Sequence, residues 1–189
     1  VDFITASAHK FNGPKGTGFL YVRKGVQIPA LISGGGQERD LRAGTENLPG
    51  IMGTVFALEK AHARQAEKRA HLLDLKHYLR QRLSETFSPI EFNGDPDPER
   101  SLPSVLNVSF PVDEDLMLLF NLDLADIAAS AGSACNSGAL QGSHVLQQIG
   151  ASTGSVRNAV RFSFGPTNTR EEIDQLVAQL QQILASQVI

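Results

Sequence analysis

A single cysteine, Cys135, is all the thiol this chain has. It can close no internal disulfide framework, fits a reducing, cytoplasmic setting, and has its value in thiol chemistry. The longest apolar runs, such as residues 116–119, fall far short of the roughly 20 residues a bilayer-crossing helix needs, so a membrane protein is excluded. No basic segment followed by an apolar stretch opens the sequence, and no signal peptide is expected there. Seventeen Lys and Arg stand against 20 Asp and Glu, a net charge of −3 with no basic face, which argues against nucleic acid as a partner. There is no HExxH and no paired CxxC, so a zinc site is not expected. The glycines at Gly13, Gly16 and Gly18 lead to no Gly-Lys-Ser/Thr and make no phosphate loop. What remains is 41% apolar and 20% charged, the composition of a packed globular chain.

The opening residues 1–6 (VDFITA) predict a short buried strand. Residues 16–23 (GTGFLYVR) predict a second strand after the turn at Pro14, and residues 26–33 an extended segment ending at three glycines. From about residue 48 to 87 the pattern is helical. Pro49 lies where a first turn tolerates it, a break is expected near Ala66 or Lys68, and Leu72, Leu75, Leu79 and Leu83 are spaced to fill one face. Residues 88–103 read as loop around a short strand at 90–92, and residues 104–110 (SVLNVSF) alternate as a strand does. A short helix is expected over 113–122, with strands over 126–130 and 160–164. Thr169 with Glu172 makes a capping box for a last helix whose Ile173, Leu176, Val177, Leu180, Ile183 and Leu184 share one face. The division predicted is at residue 65, with an α+β layered unit over 66–189. His62, His71 and His77 lie on the helical stretch without metal-ligand spacing, and His144 at a helix start, where solvated or capping roles are expected.

Four stretches carry chemistry. In Ser7-Ala8-His9-Lys10 a lysine stands beside a histidine and a serine just past a strand. A partly desolvated amine held there can form a Schiff base with an aldehyde while Ser7 and His9 hydrogen-bond a phosphate. In residues 33–47 glycines precede a helix start, an arrangement suited to an anion, although glycine-rich turns are common. Cys135 lies among small residues, AGSACNSG over 131–138, which cannot bury a side chain and would leave the thiol exposed on a loop. Arg161 projects from an apolar strand, and a guanidinium there suits bidentate capture of a carboxylate.

The string SAHKFNGPKGTGFLYVR resembles the cofactor-lysine motif of class V aminotransferase-like enzymes, especially the cysteine desulfurases of the NifS and IscS type. GGGQERDLRAGTEN, AGSACNSG and VRFSFG resemble further segments of the same family, in family order. The resemblance implies an α/β fold, that of the fold type I transferases dependent on pyridoxal 5'-phosphate. Residues 1–65 would belong to the cofactor-binding large domain and residues 66–189 form the small C-terminal α+β domain with the cysteine loop. It implies that Lys10 holds pyridoxal 5'-phosphate covalently, that Ser7 and His9 contact its phosphate, and that Thr45 reaches the cofactor phosphate of the partner subunit in a homodimer. Arg161 would bind the α-carboxylate of the substrate, L-cysteine. Cys135 would take the sulfur as a persulfide, release alanine, and pass the sulfur to an iron–sulfur scaffold or another sulfur-acceptor protein. Two departures stand out. The chain starts a few residues before the lysine, without the family's upstream half, so little turnover is expected from this polypeptide alone. Residues 138–142 lack the acidic residue and proline often found at the end of the cysteine loop. A related aminotransferase or selenocysteine lyase, in which Cys135 is dispensable, and a non-catalytic dimerisation or acceptor-binding module remain as alternatives.

Overall fold

The computed structural model describes residues 1–97, 99–110, 118–130, 143–149 and 159–185. The chain divides into two compact units, Val1–Ala66 and Glu67–Ile189.

The first unit is a hairpin backed by a helix. Strands β1 (Phe3–Ser7) and β2 (Gly18–Val22) pair antiparallel, with Phe3 opposite Val22 and Ser7 opposite Gly18. Between them a one-turn 3-10 helix, Ala8–Phe11, ends at Asn12 in the left-handed conformation, φ 67°. Asparagine tolerates that region because its short side chain bonds locally. The connection is closed by Ala8 N–H to Thr17 C=O at 3.0 Å and Gly13 N–H to Ala8 C=O at 2.8 Å. Only glycine fits at position 18, where a Cβ would lie 2.3 Å from the Ala6 carbonyl oxygen.

Helix α1 (Leu48–Ala63) starts where Asn47 caps it, its side chain accepting the Gly50 amide at 3.2 Å, with Pro49 in the first turn. Thr54 on this helix hydrogen-bonds Thr17 of the hairpin at 3.0 Å, which fixes the connection on the helix. The strand expected to be buried is not covered: Phe3, Ile4 and Leu20 are about half exposed. Apolar content specified the strand, but its cover is not supplied within this unit. The extended segment expected over 26–33 is irregular, broken at Pro29, and pairs only through the isolated bridge of Ile32 with Arg42.

The second unit carries the core. Helix α2 (Gln65–Thr86) follows the break at Arg64 and buries Leu72, Leu75, Leu79 and Leu83. Strands β3 (Glu91–Asn93), β4 (Val105–Ser109) and β5 (Ala159–Ser163) form an antiparallel sheet in the order β3-β4-β5. Alternation puts Leu106, Val108, Val160 and Phe162 on the face that packs with Leu75, Leu79 and Leu83 of α2. Helix α3 (Leu118–Leu124) adds Leu118 and Leu122 to this core, and helix α5 (Arg170–Ala185) adds Ile173, Leu176, Val177 and Leu180. Helix α4 (His144–Gln148) contributes Leu146, which clusters with Ala159. The capping box is present: the Glu172 amide donates to Thr169 Oγ1 at 3.3 Å and the Thr169 amide to Glu172 Oε2 at 3.0 Å.

Two expectations are corrected in this unit. Residues 126–130 form no strand; Asp126 has φ 59° and only Ser130 bridges to Arg161. Of the helix expected over 113–122, residues 113–117 lie outside the described residues, and the described part runs on to Leu124.

A belt of polar contacts ties α2 to α5. Tyr78 donates to both carboxylate oxygens of Asp174 at 2.9 and 3.0 Å, and Arg82 Nε donates to Asp174 Oδ1 at 2.9 Å. Arg170 pairs through Nε and Nη2 with Asp74 while its guanidinium lies 4.8 Å from the Tyr78 ring centre. The hydrogen bond to Asp174 raises the Tyr78 hydroxyl above its ordinary pKa, and the bond from Arg170 lowers that of Asp74. Among the described residues, no helix is long and apolar enough to cross a membrane, and no cluster of His, Cys, Asp and Glu could hold a metal ion.

Candidate active site

The described candidate residues fall in two places. The first is the turn at the end of β1. Ala8 is fully buried and anchors it, while Ser7, His9 and Lys10 on either side are exposed. A 3-10 turn completes in three residues, which brings Ser7, the residue before it, and Lys10 within one turn of each other. Among the described residues, the side chains of Ser7, His9 and Lys10 make no hydrogen bond, so a primary amine, an imidazole and a hydroxyl are all available to a ligand. Lys10 is not desolvated by this chain, contrary to expectation, because the hairpin connection gives it no covering layer. The donor set still fits pyridoxal 5'-phosphate: an amine for the aldehyde, and a hydroxyl and an imidazole for the phosphate.

Thr45 belongs to the same unit and is exposed, two residues before the α1 cap. The helix start is less open to an anion than its glycines suggested, since the Asn47 side chain already takes the Gly50 amide. The approach is shaped by Gly44, at φ 108°, whose amide donates to Gln37 Oε1 at 3.2 Å. No hydrogen bond among the described residues joins Thr45 to Ser7, His9 or Lys10.

Arg161 lies in the middle of β5, on the sheet face opposite the core. It lines a cavity of about 840 Å³ together with Asn93 and Asn107, and with Lys76, His77 and Arg80 of α2. Lys76 Nζ donates to Ser101 Oγ and to the Leu102 carbonyl, both at 3.0 Å; burial, with the nearby Arg80 charge, lowers its pKa. The Arg80 guanidinium stacks 4.4 Å from the Phe92 ring centre. Asn93 and Asn107 were not singled out in the sequence. The signal was there: if Leu106 and Val108 face the core, Asn107 faces away with Arg161. Cys135 and its loop lie outside the described residues.

The sequence model of the family described as aminotransferase class-V matches residues 1–176. The chain belongs to that family. As a class-V aminotransferase relative it is 42% identical, over 97% of its length, to "Cysteine desulfurase IscS" of Clostridium botulinum, and 43% identical, over 92%, to "Putative cysteine desulfurase IscS 1" of Bacillus subtilis. It covers 46% and 45% of those two proteins, so this class-V chain spans about half the length of the curated relatives it matches. Among solved structures it resembles a NifS-like protein with a TM-score of 0.83 and 38% identity, over 98% of this chain and 46% of the other. DndA from Streptomyces lividans matches with a TM-score of 0.66 and 31% identity, over 86% of this chain and 46% of that one. The α/β fold expected from the sequence is the fold of these class-V relatives.

Proposed function

We propose that this chain supplies the cofactor lysine and the sulfur-accepting thiol of a cysteine desulfurase, which turns L-cysteine into L-alanine and carries the sulfur on Cys135. The observation that supports it most is the turn at the end of β1, where Lys10, His9 and Ser7 stand side by side with their polar groups uncommitted. The relatives that bear the name cysteine desulfurase, at 42% identity, support the reaction class. Pyridoxal 5'-phosphate, when bound, supplies an electron sink for the carbon that loses sulfur. Lys10 would hold it through its amine and, as a free amine, would move the proton; Ser7 and His9 would hold the phosphate, and Arg161 would orient the α-carboxylate. The Cys135 thiolate attacks the substrate sulfur: an S–S bond forms, the C–S bond breaks with its electron pair staying on carbon, and a proton delivered to that carbon completes alanine.

In this reading residues 1–65 are part of the cofactor-binding large domain and residues 66–189 the small domain with the cysteine loop. The working form is a cytoplasmic homodimer in which Thr45 reaches the partner's cofactor phosphate. The persulfide passes to an iron–sulfur scaffold or another acceptor protein. The relatives are about twice as long, and Lys10 is uncovered here, so this polypeptide alone turns over little.

The test is to add pyridoxal 5'-phosphate, reduce with borohydride and map the covalent adduct by peptide mass spectrometry. A single adduct on Lys10, lost in Lys10→Ala, is expected. Labelling spread evenly over surface lysines overturns the assignment.

A further inference from the structure

Main-chain hydrogen bonds fix which side chains meet on the open face of the second unit's sheet. Arg161 donates its amide to the Ser130 carbonyl at 2.7 Å and accepts the Ser130 amide at 3.2 Å. Both of its main-chain groups therefore point away from β4, which makes Arg161 and Asn107, opposite each other in the register, a non-hydrogen-bonded pair. Such pairs bring their Cα atoms to about 4.5 Å, the closest side-chain approach an antiparallel sheet offers. The main-chain groups of Asn107 consequently face β3, where Asn93 is its partner. A polar row, Asn93, Asn107 and Arg161, crosses all three strands on one face, and all three residues line the cavity.

The amide of Asn107 is oriented within that row. Asn93 Nδ2 donates to Asn107 Oδ1 at 2.7 Å and, with its other hydrogen, to Ser109 Oγ at 2.7 Å. Ser109 is buried, so this anchor is shielded from water. With its oxygen committed to Asn93, Asn107 retains the two N–H donors of Nδ2, which have no hydrogen-bond partner among the described residues. A carboxylate held by a guanidinium has lone pairs to spare, and a neutral N–H donor beside it adds a bond without the repulsion a second cation would feel from Arg161. The further cations of the cavity, Lys76 and Arg80, favour an anionic group there, and its one carboxylate among the described residues, Asp95, is paired with Arg100 at 3.0 Å.

We infer that Asn107 is a second recognition residue for the substrate carboxylate, its Nδ2 donating beside Arg161 while Asn93 holds its oxygen. This rests on the reading of Arg161 as the carboxylate-binding residue. The test titrates L-alanine, with ethylamine as the control that lacks a carboxylate, into the isotope-labelled chain. It follows the Arg161 Nε–H and Asn107 Nδ2 resonances by nuclear magnetic resonance. Both are expected to shift together with L-alanine and not with ethylamine. A shift of Arg161 alone overturns the role of Asn107 and leaves the reading of Arg161 intact; no shift of either removes both. Asn107→Asp keeps an oxygen for Asn93 but replaces the donor by a charge. It is expected to weaken L-alanine binding about tenfold or more. Unchanged affinity in that variant overturns the inference.

Discussion

In the unit over residues 67–189, Leu75, Leu79, Leu83, Leu122 and Leu180 are at most 1% exposed; in the unit over 1–66, Phe3, Ile4, Phe19, Leu20 and Tyr21 stand between 40% and 50% exposed. Both regions are written in apolar residues. One closes a core of its own from three helices and a sheet, and the other holds its shape mainly by hairpin hydrogen bonds and the Thr17–Thr54 contact with α1. The contrast teaches that apolar pattern specifies an element and not its cover. Ser7, His9 and Lys10, whose polar groups are uncommitted, lie in the unit that buries the least of its own apolar surface.

The contrast can be broken most forcefully in the core. Leu79→Ala removes a fully buried side chain and is expected to destabilise the second unit by about 2–5 kcal/mol. The measurement is the urea midpoint followed by far-ultraviolet circular dichroism, and a change under about 0.5 kcal/mol contradicts the core described here.

A smaller effect lies at the start of α5. Thr169→Ala deletes the cap and is expected to cost about 1 kcal/mol in the same assay. The cap also has a pH signature. The hydrogen bond from Asn168 and that from the Thr169 amide hold the Glu172 carboxyl below its ordinary pKa. A carboxyl whose pKa is depressed on folding adds stability that is present above the unfolded pKa and fades as pH falls through the folded one. Stability should therefore decline on acidification below the ordinary carboxylate range, and less steeply in Glu172→Gln. Parallel pH profiles of the two proteins refute this.

The smallest change is expected where the first unit is uncovered. Phe19→Ser replaces a ring that is 40% exposed and should shift thermal stability by no more than about 0.5 kcal/mol. A loss as large as that in Leu79→Ala would show that the ring is structurally buried in solution.

Much of the second unit was legible in advance because its periodicities point to one face. Leu72, Leu75, Leu79 and Leu83 are all buried, as are Ile173, Leu176, Val177 and Leu180, and the Thr169–Glu172 box forms. The failures share a cause: extension was read from apolar content without a pairing partner. Residues 26–33 and 126–130 are each reduced to a single bridge, and β1 is a strand without a covering layer. For the site, the strand-end position of Lys10 was readable, since an apolar strand followed by a polar turn is a local signal. The Asn93–Asn107–Arg161 row was not, because it depends on the register of three strands far apart in the sequence.

The belt that joins α2 to α5 couples residues 92 and 96 positions apart: Arg82 and Tyr78 both meet Asp174. With Leu180 fully buried against a core that begins at Leu75, the second unit cannot close its interior until almost all of it has emerged from the ribosome. Its birth is therefore late and all at once, and a nascent chain stalled between β5 and α5 leaves the core face of the sheet uncovered by its last helix.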